Sequence, residues 1–262
     1  MITSESSARP GALDLRSRYT ERDLAVFTAG ERRRFVPHGG GDPQADVSLA
    51  WELLYRIEPE LYDRLATAER LHPGVVAWLP AGAERIVEVG AGTGRLTTHL
   101  LDRGREILAI EPVAPFRRIL QRKLAQAGPA ARARVAHGYF DHLPVASGCA
   151  DLVVACSVLT PASRHGGEAG LAEMERVCRP GGCVAVVWPN NVGWLAAQGY
   201  QYVSFAGPMT VDFVSHREAV DLAEIFYPQA LAEIRRRGCR RVPYELVGIN
   251  PPRDVAFKVM PA

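Results

Sequence analysis

Lysine is almost missing from this chain of 262 residues: Lys123 and Lys258 are the only two, and arginine carries nearly all of the positive charge. With abundant Ala, Gly and Pro, that bias points to a high-GC bacterial genome rather than to a functional constraint. Long apolar runs are missing too. None approaches the roughly 20 residues that cross a bilayer, and Met1 to Gly11 is polar with no apolar signal core. This leaves no expected membrane partner and makes the cytoplasm the expected compartment. Cysteine is sparse: Cys149, Cys156, Cys178, Cys183 and Cys239 are odd in number and form no C-x-x-C pair. A disulfide framework and a zinc site are therefore not indicated, and no metal is expected. Charge of one sign is lacking as well, since the formal net charge is +2. A nucleic-acid-binding surface normally shows a strongly basic balance, so nucleic acid is not an expected partner. The arginine runs Arg32 to Arg34 and Arg235 to Arg237, with Arg240 and Arg241, read as solvated helix faces.

What is present is enough apolar residue, 47% of the chain, to bury a sizeable core as one domain or one domain with a cap. A short helix is expected from Tyr19 to Phe35, followed by a glycine-rich hinge from Val36 to Pro43. Two or three helices follow between Ala45 and Leu79, with Pro59 in a first turn and Pro73-Gly74 as a break. From Arg85 strands and helices alternate, which predicts a parallel sheet covered on both faces. The expected strands are Ile86 to Val89, Ile107 to Ile110, Ala133 to Ala136, Asp151 to Ala155 and Cys183 to Trp188. Helices are expected from Pro115 to Ala127 and from Glu168 to Val177. The aromatic-rich stretch from Asn190 to Arg237 reads as a helical insertion before two final strands, Tyr244 to Ile249 and Val255 to Val259. Asn250-Pro251-Pro252 reads as the hairpin turn between those two.

The chain is organised around Glu88-Val89-Gly90-Ala91-Gly92-Thr93-Gly94-Arg95. A β-branched run enters a loop of alternating glycines and a helix-compatible run leaves it, the pattern of a nucleotide-binding unit. A dinucleotide fingerprint would place its third glycine at position 95, where Arg95 stands, so a nicotinamide cofactor is disfavoured. The Glu88-x-Gly90-x-Gly92-x-Gly94 pattern instead resembles motif I of the class I S-adenosylmethionine-dependent methyltransferases. Four further segments match that family in order, so that the resemblance spans about Tyr62 to Pro261.

Glu111, at the end of the second strand, is similar to the motif II acid. A carboxylate there can accept both ribose hydroxyls, with Pro112 or Val113 against the adenine. The third motif departs from the family's Gly-Asp-Ala: the run here is Gly138-Tyr139-Phe140-Asp141-His142-Leu143-Pro144. Tyr139 occupies the acidic position, a shifted Asp141 is the preferred substitute, with a helix N-cap as its alternative role, and the Phe140 backbone N–H remains available to a ring nitrogen. Cys156 and Ser157 resemble the turn after the fourth strand, where the family places the amino acid end of the cofactor. Glu175 to Gly182 matches the family's helix and Arg-Pro-Gly-Gly turn.

The resemblance implies an α/β fold with a seven-stranded, mostly parallel, doubly wound Rossmann-like sheet, an N-terminal helical cap and a helical insertion before the last two strands. It divides the chain into an extension, 1–43, and a methyltransferase domain, 44–262, with the insertion at about 190–240. It implies S-adenosylmethionine as cofactor and transfer of a methyl group to O or N of a small, partly apolar molecule, as in specialised metabolism. An RNA or protein methyltransferase, or a non-methylating cyclase or scaffold on the same fold, is the alternative. His165 and His142 are the candidate general bases, with His38 and His216 behind them. Trp188, Asn190, Asn191 and Tyr19 are the candidate substrate contacts.

Overall fold

Ile86, Val87 and Val89 are buried, on both faces of their strand, and a parallel sheet extends outward from them. The computed structural model describes residues 17–42, 46–128 and 132–262. Its strands are β1 (Ala83–Val89), β2 (Gly104–Ile110), β3 (Ala133–Ala136), β4 (Ala150–Cys156), β5 (Cys178–Val187), β6 (Gln201–Ser204), β7 (Thr210–Asp212), β8 (Arg241–Pro243) and β9 (Asp254–Val259). Seven of them form one sheet in the order β3-β2-β1-β4-β5-β9-β6. The first five run parallel, whereas β9 is antiparallel to both of its neighbours, β5 and β6.

The apolar run of each central strand supplies both faces of the core, as parallel strands covered by helices require. Val87, Val89, Ile110, Val153 and Ala155 join one cluster, which Leu171, Met174 and Val177 of the helix Gly167–Val177 cover. Ala109 points to the opposite face. There it meets Leu120 and Leu124 of the helix Ala114–Ala127. The Arg179-Pro180-Gly181-Gly182 turn is a bulge inside β5: Ala150 pairs with Cys178, but Leu152 pairs with Cys183. A Cβ on Gly182 would lie 2.7 Å from Cys178 Sγ and 2.9 Å from Asp151 O, so the bulge closes only on glycine. Burial pushes the thiols of Cys178 and Cys183 up to about 12 and about 11, and neither is a nucleophile at neutral pH.

The described chain falls into two contact units. One holds Leu71–Gly207 and Pro252–Ala262, and with them the whole seven-stranded sheet. The other holds the described residues up to Arg70 together with Pro208–Pro251. It contains the helices Ala29–Phe35, Val47–Ile57, Pro59–Ala68, His216–Phe226 and Leu231–Arg237 and the β7–β8 ribbon. Within it Arg56 is buried, yet its guanidinium is bonded to Glu52 Oε2 at 2.6 Å and Glu31 Oε1 at 3.0 Å and lies over the rings of Phe27 and Phe35. A buried charge is retained only with such partners.

Several expectations are corrected. Tyr19 to Phe35 is a 3-10 turn, Glu21–Val26, then a helix capped by Thr28, whose side chain accepts from the Glu31 N–H. Pro73 starts a helix, Pro73–Trp78, with His72 Nδ1 accepting the Gly74 N–H as its cap. The sixth strand of the sheet is β6, inside a stretch expected to be helical. The insertion therefore lies between the last two strands of the sheet, not before them. Tyr244 to Ile249 is no strand but carries a short helix, Tyr244–Val247, whose Tyr244 and Val247 are both buried. Asn250-Pro251-Pro252 leads from that helix into β9 rather than turning a hairpin. Residues 46–70 cluster with what precedes them and with the insertion, and the boundary between the contact units runs after Arg70. The expected flexible start, 1–16, and Pro43 to Ala45 lie outside the described residues. No helix among the described residues is long and apolar enough to cross a membrane.

Candidate functional site

The strand order reverses at β1: β2 and β3 lie on one side of it, β4 and β5 on the other. Loops leaving the carboxyl ends of β1 and β4 diverge there and open the crevice in which ligands of such sheets bind. The glycine loop leaves β1 at this point. Gly90, Gly92 and Gly94 have φ of +70°, +57° and +100°, a region closed to most side chains. A Cβ on Gly94 would lie 2.7 Å from Leu120 Cδ1, and one on Gly90 3.0 Å from both Phe140 Cε1 and Val158 Cγ2. The N–H groups of Gly90 and Ala91 donate to Ile110 O, which ties the loop to the end of β2.

Glu111 follows β2 and is buried. Its Oε2 accepts the Gly92 N–H at 2.8 Å and its Oε1 the Val113 N–H at 2.7 Å. A carboxylate oxygen has lone pairs for more than one such bond. Arg117 braces the segment by donating to the carbonyls of Glu111 and Pro112 at 2.8 and 2.7 Å. Glu88 sits beneath the loop, 1% exposed. Burial, reinforced by the nearby Glu111, pushes its carboxyl up to about 8 despite a 2.6 Å hydrogen bond from Thr97 Oγ1. Glu88 is thus neutral at pH 7, and its bond to Thr97 anchors the start of the helix Thr97–Leu100.

Thr93 was not singled out by the sequence reading. It is 2% exposed, and its Oγ1 has no hydrogen-bond partner among the described residues. A buried hydroxyl without a protein partner is an orphaned polar atom that a bound ligand would satisfy. A carboxylate bonded to the loop, of the kind that accepts ribose hydroxyls, and two glycines, Gly90 and Gly94, where a Cβ would be crowded, fit an adenosine-bearing cofactor.

The remaining predicted residues are distributed as follows. Phe140 packs against Gly90 on one side and, on the other, against Gly166 and Gly170, where a Cβ would lie 3.5 and 3.2 Å from its own. Tyr139 is half-buried beside the His137 ring and bridges to His142. Asp141 and His142 are exposed, and no helix begins at Asp141, so the helix-cap reading of that residue fails. Cys156 ends β4 opposite Val187. Ser157 follows with φ +56°, its N–H donating to Val187 O at 2.9 Å. His165 closes the 3-10 turn Ser163–His165, next in sequence to the Gly166 that packs on Phe140. Trp188 is 7% exposed, with φ +50°. Asn190 Nδ2 donates to Leu159 O at 3.4 Å, while Asn191 caps the helix Val192–Ala197 by accepting the Trp194 N–H. Tyr19 lies in the other contact unit and donates its hydroxyl to Glu58 Oε2 at 2.7 Å; burial and that bond push the hydroxyl up. Arg95 also escaped the sequence reading as a site residue; its guanidinium carbon lies 4.9 Å from the centroid of the Trp188 ring.

A glycine loop over a switch point, closed by a carboxylate that takes two backbone N–H groups, defines a nucleotide-binding α/β protein. The family described as "Methyltransferase domain" matches residues 86–182, which hold that loop and Glu111. An uncharacterized methyltransferase of Mycobacterium tuberculosis is 28% identical over 177 residues, 62% of this chain and 68% of the relative. The demethylmenaquinone methyltransferase of Beutenbergia cavernae is 30% identical over 200 residues, 72% of this chain and 75% of the relative. A SAM-dependent methyltransferase from Aquifex aeolicus has a similar backbone, with a TM-score of 0.46 at 16% identity over 59% of this chain and 93% of that one. The chain belongs to the class I S-adenosylmethionine-dependent methyltransferases, and S-adenosylmethionine is its cofactor.

Proposed function

We propose that the chain moves the methyl group of S-adenosylmethionine to an oxygen or nitrogen of a small, partly apolar molecule. The cofactor brings a methyl group already activated on a sulfonium. The protein's task is to align an acceptor lone pair with it and to keep water out. No fixed dyad is needed for that, in keeping with a site built of glycines, backbone N–H groups and one carboxylate.

The observation that carries the small-molecule reading is a row of aromatic rings in the unit formed by the N-terminal helices and the insertion. Trp51 stacks on Phe226 with centroids 5.6 Å apart, Tyr55 lies 5.9 Å from Trp51, and Tyr62 meets Tyr55 edge-on at 5.0 Å. Trp51, Tyr55 and Tyr62 are only half-buried. Binding sites for small organic molecules are lined in this way, mostly apolar and aromatic with a few polar groups. The relative from Beutenbergia cavernae bears the name of an enzyme acting on demethylmenaquinone, which agrees with such an acceptor.

For a hydroxyl acceptor a general base lowers the barrier. His165 takes that role in this reading, because its turn packs through Gly166 onto Phe140 beside the glycine loop. His142, exposed after β3, is the second candidate. The test is incubation of the purified chain with methyl-labelled S-adenosylmethionine and a panel of phenols, quinols and amines. Label recovered on a panel compound supports the reading. Label confined to added RNA or protein overturns it. On a hydroxyl acceptor, His165→Ala lowers turnover by about 10²-fold or more, while His142→Ala has the smaller effect.

A further inference from the structure

The opposite edge of the same sheet carries a second concave site. A groove of about 910 Å³ runs along the amino ends of β1 to β5, lined by five arginines against three carboxylates. Arg85, in this groove, stands about 17 Å along β1 from Gly90. The groove is therefore separate from the cofactor crevice.

Strand register brings the charges onto one face. Arg85 pairs with Glu106. Ile107 pairs with Ala133 and donates its N–H to Arg132 O at 2.9 Å, so Arg132 comes beside Glu106. Arg134, two residues further, shares the face of Arg132, because Ala133 and Val135 turn the other way, toward Leu120 and Leu124. The described connection from β3 to β4 holds no helix, and the helix Gly167–Val177 packs on β4 and β5. This end of the face is left to the arginines, and Arg85, Arg132 and Arg134 are all exposed.

Each carboxylate of the groove is tied to an arginine: Glu106 to Arg85 at 3.2 Å, Asp151 to Arg179 at 2.6 Å and Glu84 to Arg105 at 3.4 Å. The guanidinium groups of Arg132 and Arg134 have no hydrogen-bond or ion-pair partner among the described residues. Two positive charges in the groove thus stay uncompensated by the fold. Their Cα atoms are about 7 Å apart along the strand, and Arg85 lies about 10 Å from Arg132, two strands across. A single carboxylate reaches one of these groups, whereas a chain of linked phosphates, charged at each unit, reaches all three.

We propose that this groove is an anion site for a small polyphosphate, free or carried by a nucleotide, with Arg132 and Arg134 as its principal contacts and Arg85 as a third. The planar guanidinium fork matches phosphate oxygens in bidentate geometry. Because the arginines come from three strands distant in the chain, neither net charge nor any basic run in the sequence reveals them.

The test is isothermal titration of tripolyphosphate into the full chain at low ionic strength, with S-adenosylhomocysteine at saturation so that the cofactor crevice is filled. Wild type is expected to bind, less tightly as salt is added. The double variant Arg132→Gln/Arg134→Gln is expected to bind about tenfold more weakly or worse, while Arg235→Gln/Arg237→Gln, which removes the same charge from an exposed helix, stays within about twofold of wild type. Glu106→Gln frees Arg85 and is expected to tighten binding severalfold, a gain that misfolding cannot produce. S-adenosylhomocysteine affinity within about twofold of wild type reports that each variant is folded. ATP binding as tightly as tripolyphosphate marks the free phosphate chain as sufficient, and tighter ATP binding marks a nucleotide; both support the site. The proposal is overturned if wild type binds neither probe, if Arg132→Gln/Arg134→Gln binds like wild type, or if the arginines bind single-stranded RNA and not tripolyphosphate.

Discussion

The Gly92 backbone N–H donates to Glu111 Oε2 at 2.8 Å, so the glycine loop after β1 and the carboxylate after β2 form one hydrogen-bonded unit. Glu111 holds the loop through its backbone bonds, and its proposed second role is to accept the ribose hydroxyls. Glu111→Ala removes two charge-assisted backbone bonds and leaves the N–H groups of Gly92 and Val113 without their acceptor. The expected cost is about 2–4 kcal/mol of stability, read from urea unfolding, along with loss of measurable S-adenosylhomocysteine binding. Glu111→Gln keeps one acceptor oxygen and is expected to lose less on both measures.

Gly94 combines a φ of +100° with close approach to Leu120. Gly94→Ala therefore meets backbone strain and a steric clash together, for which about 2–4 kcal/mol of destabilisation is expected. A double-mutant cycle with Leu120→Ala separates the two. The steric part appears as a favourable coupling energy, whereas the backbone part survives in the double variant.

Ser157→Gly relieves the left-handed strain after β4 without removing a buried apolar group. Unfolding stability is expected to hold or to rise by about 0.5–1 kcal/mol. Affinity for S-adenosylhomocysteine is expected to fall, because glycine no longer holds the turn in one conformation. A drop in stability greater than the loss of binding would mean that the strain serves folding alone.

Burial raises the Glu88 carboxyl from an ordinary 4.5 to about 8. The folded chain therefore holds a proton that the unfolded chain releases, so stability falls as pH rises from about 4.5 to about 8 and levels off above. Glu88→Gln removes this titration. The melting temperature of the variant relative to wild type is expected to climb by several degrees between pH 5 and pH 8, measured by scanning calorimetry in buffers of equal ionic strength. A difference independent of pH would show that Glu88 is ionised in the fold.

The strands β1, β2, β4 and β5 were legible because each holds an apolar run buried on both faces. The edge was not. In β6, Gln201, Tyr202 and Ser204 are exposed, so the strand carries no core signature and reads as part of the aromatic-rich helical insertion. Tyr244 to Val247 misleads in the opposite sense: two buried residues enclose a short helix that imitates an apolar strand. At the site, the glycine spacing and Glu111 were readable because the loop chemistry is local in sequence. The Arg95–Trp188 stack was not, since it joins the ends of β1 and β5, distant in the chain. Thr93 was hidden for a different reason: what marks it is a buried hydroxyl left without a partner among the described residues.

The most direct test of a small acceptor is to supply methyl-labelled S-adenosylmethionine and the purified chain to a bacterial extract, then to separate metabolites from RNA and protein. Label that enters the organic-extractable metabolite fraction, and fails to do so with Glu111→Ala, is the result this account predicts. Label that stays with RNA or protein, or enters metabolites equally with the variant, would contradict it.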